Sequence, residues 1–86
     1  MFKKVEFNFY CPHANEVYLA GEFNDWNIGS LPMKKDEEGI WKTEIKLIPG
    51  RYEYKFFADG RWIEEIAGVE TILNPFGTKN FIISVT

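Results

Sequence analysis

The chain has 86 residues and a formal net charge of −3, from 10 Lys and Arg against 13 Asp and Glu. That length makes one domain, residues 1–86, and the acidic balance sets aside binding by phosphate neutralisation, so nucleic acid is not an expected partner. A single cysteine, Cys11, excludes an internal disulfide and leaves no thiolate metal cluster. The aromatic share of 17% offsets the small size, because each Phe, Tyr or Trp buries roughly 150–250 Å².

From Lys3 to Tyr10, Val5, Phe7 and Phe9 alternate with Lys4, Glu6 and Asn8, the period of a half-buried strand. Met1-Phe2-Lys3-Lys4 enters that pattern directly, with no apolar run of a secretion signal, and no stretch reaches the length of a membrane span. The expectation is a soluble, cytoplasmic protein without a membrane partner, either a complete chain or an excised domain that would look the same. Val17 and Leu19 continue the alternation up to Gly21. Phe23-Asn24-Asp25-Trp26-Asn27 then places an indole in turn-forming sequence. Asp36-Glu37-Glu38 before Gly39 reads as a solvated turn rather than a catalytic carboxylate pair. Trp41, Thr43, Ile45 and Leu47 alternate with Lys42, Glu44 and Lys46, which assigns Trp41 to the core, and Pro49-Gly50 ends the run.

Tyr52, Tyr54 and Phe56 alternate with Arg51, Glu53 and Lys55 before Asp59-Gly60, a two-residue hairpin signal. With those two residues as the loop, Ala58 lies opposite Arg61, Phe57 opposite Trp62 and Phe56 opposite Ile63. Opposed residues share a face, so Lys55, Phe57 and Trp62 lie together on one side and Tyr54, Phe56 and Ile63 on the other. The apolar stripe belongs inside, because the alternative buries Arg51, Glu53 and Lys55. Trp62 therefore points outward beside Lys55. Two readings stand at this point, a ligand platform or a cation–π pair decorating an edge, the latter contributing about 0.5–1 kcal/mol.

Glu64 to Lys79 is the least regular stretch, interrupted by Gly68, Pro75 and Gly77, and reads as a long loop that is functional or disordered. The adjacent Glu64 and Glu65 would point to opposite faces if they continued a strand. Phe76, between Pro75 and Gly77, is either an apolar wall at a loop tip or a plug folded back beneath the sandwich. Phe81, Ile83 and Val85 form the last strand. Short strands separated by turn residues predict an all-β sandwich. Cys11 and His13 around Pro12 are too few ligands for a metal site, and no phosphate-loop or nucleophile-elbow pattern occurs, so no catalytic residues, metal or cofactor are expected.

Several of these segments together resemble a known family. Val17 through Trp26, then Trp41, then Pro49 through Trp62, then Gly77-Thr78-Lys79-Asn80 are similar to the glycogen-binding domain of AMP-activated kinase β subunits. The wider group is carbohydrate-binding module family 48, which includes isoamylase and branching-enzyme N-terminal domains, and the resemblance covers about residues 5–85. It implies an early-set immunoglobulin-like β-sandwich that binds α-1,4-linked glucans (glycogen, starch, maltooligosaccharides) and has no catalytic activity. Carried over by position, it makes Trp26 and Trp62 stacking platforms and gives Lys55 and Asn80 contacts with sugar hydroxyls. Phe76 falls where an apolar residue presses on the sugar chain, with Thr78 in the same loop. An indole covers the C–H face of a glucose ring while Lys and Asn serve its hydroxyl rim. The chain departs from the family in lacking Asp-Pro soon after Trp62 and in having Phe76 in place of leucine. A second class of function is a protein-interaction module docking onto a kinase or a glycogen-metabolising enzyme.

Overall fold

The computed structural model describes residues 1–86. Eight strands form in chain order: β1 (Lys3–Tyr10), β2 (Val17–Gly21), β3 (Lys34–Lys35), β4 (Ile40–Leu47), β5 (Gly50–Ala58), β6 (Arg61–Ile63), β7 (Thr71–Leu73) and β8 (Lys79–Val85). One 3-10 turn, Glu22–Asn24, is the sole helical element, and no helix is long and apolar enough to cross a membrane. Pairing is antiparallel throughout. β1-β4-β3 make one sheet and β2-β5-β8-β7 the other, with β6 added to the free end of β5.

The alternations visible in the sequence become the two inner faces. Phe7 and Phe9 of β1, with Trp41 and Leu47 of β4, meet Leu19 of β2, Tyr54 and Phe56 of β5, and Phe81 of β8. Phe9 stacks on Phe56 with ring centroids 4.8 Å apart, and Phe7 meets Tyr54 edge-on at 5.0 Å, arrangements that add to simple area burial. Trp41 is buried as the alternation requires, and its indole N–H donates to the carbonyl of Cys11 at 2.8 Å. The Cys11-Pro12-His13 segment thus closes one end of the core.

The β5–β6 hairpin has the register its turn dictates, Phe56 against Ile63, Phe57 against Trp62 and Ala58 against Arg61. Asp59 and Gly60 both have positive φ, 48° and 81°, the signature of a type I′ turn. The Asp59 carboxylate also accepts from the backbone N–H groups of Asn15 and Glu16, tying this hairpin to the β1–β2 connection.

One sequence reading needs correction. Residues 64–79 are not one long loop, because β7 forms within them and pairs with β8, Ile72 opposite Asn80. A three-residue strand is too short to show its period, and only the edge of β8 completes it. Glu64 and Glu65 lie in the irregular stretch, as read, since β6 ends at Ile63.

Candidate carbohydrate-binding site

On β5, the strand shared by β2, β6 and β8, Glu53, Lys55 and Phe57 are among the side chains that point away from the core. Glu53 and Lys55 floor one side of a cleft of about 540 Å³ on the outer face of the larger sheet. Trp26, Lys55, Trp62, Phe76, Thr78 and Asn80, the six residues singled out in the sequence, all line this cleft.

Two indoles form its apolar side. Trp62 lies on β6, its ring 5.0 Å from that of Phe57, which props it from below. Trp26 comes from the turn after β2, and its ring meets that of Trp62 at 6.4 Å and 70°. Trp62 is 40% exposed and Trp26 half-buried, so both rings keep accessible surface. The Trp26 turn is built backbone first. Gly21 approaches β5 so closely that a Cβ there would lie 2.7 Å from the Glu53 carbonyl oxygen and 2.8 Å from the Tyr54 Cβ. Asp25 and Trp26 then take left-handed φ values of 54° and 59°, which are disfavoured for residues with a Cβ. Asn24 holds this shape: its Oδ1 accepts from Gly21 N–H, and its Nδ2 donates to the Asn27 carbonyl and the Ser30 hydroxyl.

The floor is polar and hydrogen-bonded throughout. Lys55 is outward-facing as the hairpin register requires, yet only 6% exposed, which corrects the expectation of a solvated lysine beside an exposed indole. Ala20 lies opposite it on β2, and the Trp62 ring lies 5.7 Å from its Nζ. Lys55 Nζ donates to Thr78 Oγ1 at 3.1 Å. Asn80, 7% exposed, donates from Nδ2 to Glu53 Oε1 at 3.0 Å, and Glu53 N–H in turn donates to Glu22 Oε1 at 2.7 Å.

Asn74 ties floor to rim. Its Oδ1 accepts from the N–H groups of Phe76 and Thr78, and its Nδ2 donates to Thr78 Oγ1 at 2.6 Å and to Asn80 Oδ1 at 3.1 Å. Both lone pairs of the Thr78 hydroxyl are thereby engaged by donors, leaving its hydrogen free for the cleft. The turn over Asn74-Pro75-Phe76-Gly77 presents Phe76 with 90% of its surface exposed. The plug beneath the sandwich is thus excluded, because nothing in the core covers this ring. Asn74, Glu22, Glu53 and Glu64 line the same cleft and were not among the residues expected there. Asn74 before proline carries a turn signal in sequence, but its side-chain partners come from two strands and are tertiary.

A strip of aromatic surface above a fixed row of donors and acceptors is the chemistry of sugar recognition. The chain matches carbohydrate-binding module 48 (isoamylase N-terminal domain) over residues 1–77. It belongs to that family. This module is 36% identical over 73 residues to protein PTST homolog 2, chloroplastic, of Arabidopsis thaliana, covering 85% of the chain and 13% of that protein. It is 36% identical over 72 residues to the 5′-AMP-activated protein kinase subunit beta-1 of Rattus norvegicus, covering 84% and 25% respectively. A 1,4-alpha-glucan branching enzyme of Lactobacillus acidophilus is also 36% identical over 72 residues, covering 80% of the chain and 11% of the enzyme. The module therefore spans a quarter or less of the length of these relatives. The immunoglobulin-like sandwich of the family is the fold described above.

Proposed function

We propose that this module binds α-1,4-linked glucan, as glycogen, starch or a maltooligosaccharide, without catalysing a reaction. The observation that carries the proposal is the pair of indoles set 70° apart over a floor of Lys55, Thr78 and Asn80. Coplanar rings suit a flat, extended β-glucan. Rings inclined to one another suit successive glucose units of a curved α-linked chain, each presenting its C–H face to one indole. In this reading Lys55 keeps N–H groups for sugar oxygens, Thr78 offers its hydroxyl hydrogen, Asn80 offers its second amide N–H, and Phe76 forms a third apolar wall. The family membership and the naming of an alpha-glucan branching enzyme among the relatives support the same ligand.

Calorimetric titration with maltoheptaose and cellohexaose as a matched pair tests it. The expected result is binding of maltoheptaose with a dissociation constant of roughly micromolar to millimolar, about −8 to −4 kcal/mol, and none of cellohexaose. Equal binding of both, or of neither, overturns the α-glucan reading and favours the protein-docking module. That second reading draws on the small share of each relative that this chain matches, and its partner would be a kinase or a glycogen-metabolising enzyme.

A further inference from the structure

The sugar cleft contains three carboxylates that the aromatic pattern of the sequence does not reveal. Glu22, Glu53 and Glu64 line it, against Lys55 as its one cationic residue, so two negative charges are left over. None of the three carboxylates makes an ion pair: the two in the protein are Lys42–Asp36 and Lys79–Glu65. Their hydrogen-bond donors are neutral, the N–H of Glu53 for Glu22 and the amide of Asn80 for Glu53, and Glu64 has none. Neutral donors fix a carboxylate without cancelling its charge. Lys55 donates to Thr78 and lies beside the Trp62 ring, and its single positive charge offsets only one of the three carboxylates. Arg61, next to Trp62 in sequence, alternates to the other side of β6 and does not line the cleft.

We infer that the cleft discriminates by charge among glucans, taking neutral chains and rejecting those that carry a phosphomonoester, with Glu22, Glu53 and Glu64 as the discriminating groups. The inference rests on the glucan reading above and makes no separate site of the carboxylates. A neutral glucose unit offers hydroxyl hydrogens, and a carboxylate is a strong acceptor for them. A phosphomonoester has a charge of about −1.5 to −2 at neutral pH and only acceptor oxygens, so it brings repulsion and no compensating donor. Any phosphate on a bound glucose unit lies within about one Debye length of these groups at ordinary salt, where screening is incomplete.

The test compares maltoheptaose with maltoheptaose bearing one 6-phosphate, titrated into the domain at roughly 0.1 M and roughly 1 M salt, where the Debye length falls from about 10 to about 3 Å. At the lower salt the phosphorylated chain should bind about tenfold more weakly. The ratio should narrow at the higher salt, and also in the Glu22→Gln/Glu64→Gln double variant at the lower salt. Glu64→Gln alone, at an exposed side chain with no hydrogen bond, repeats the comparison if the double variant folds poorly. Equal binding of the two ligands at low salt overturns the inference. So does a ratio that neither salt nor substitution changes, since that is steric exclusion. Failure of maltoheptaose itself to bind overturns the glucan reading, and this inference with it.

Discussion

Asn74 makes four hydrogen bonds with one side chain, two received and two donated, which is the full capacity of its donors matched to acceptors in the cleft. Two of these bonds set the backbone that presents Phe76, and two orient Thr78 and Asn80. Asn74→Ala should therefore loosen three cleft residues at once. Phe76→Ser removes one wall and leaves the floor intact. Because Phe76 is 90% exposed, its replacement should leave stability within roughly 0.5 kcal/mol of the parent while weakening maltoheptaose binding. Asn74→Ala should weaken binding further and cost about 1–3 kcal/mol of stability, the range for stripping a partner from buried polar groups. Chemical denaturation and glucan titration of the two variants side by side check both; a Phe76→Ser protein that unfolds, or an Asn74→Ala protein that binds like the parent, contradicts this account.

Individual elements divide into those legible in the sequence and those that tertiary contacts create. The β5–β6 hairpin was fully legible, since Asp59-Gly60 fixes the register and the register puts Lys55 and Trp62 on one face. That Lys55 is nonetheless buried was not, because its cover comes from Thr78 and Trp62 and not from its own strand. β7 and β3 escaped for a related reason: two or three residues carry no period, and each exists by pairing with the edge of a longer strand. The turn between β3 and β4 was legible as a turn, but its chemistry lies in one side chain. Asp36 Oδ1 accepts from the N–H groups of Glu38 and Ile40, and the bond from Ile40 above all holds the carboxyl below its ordinary value of 3.8, with Lys42 assisting. A carboxyl whose folded value is lowered stabilises the fold above its unfolded value and loses that contribution as pH falls through the folded one. The difference in melting temperature between the parent and Asp36→Asn should thus be constant above about pH 5 and shrink below about pH 4. Thermal melts across that acid range check it, and a difference that persists unchanged at the lowest pH contradicts it.

Across the whole molecule, the three tryptophans divide between two tasks on opposite sides of one sheet. Trp41 lies in the core with its N–H bonded to Cys11, whereas Trp26 and Trp62 keep open surface in the cleft. Trp41→Ala should cost about 3–5 kcal/mol, a large fraction of the roughly 5–15 kcal/mol of a typical domain. Trp26→Ala should leave the melting temperature nearly unchanged and abolish retention on glycogen. Melting curves and glycogen pull-down of the pair check this contrast; unfolding of Trp26→Ala would place that indole in the core instead. The arrangement of the two cleft indoles also has an optical side. Chromophores 6.4 Å apart and inclined at 70° are close enough to couple electronically, so the pair is expected to contribute an exciton band to the ultraviolet circular dichroism. That band would belong to the pair and vanish with either member. The domain thus carries an unlabelled optical gauge of its own cleft.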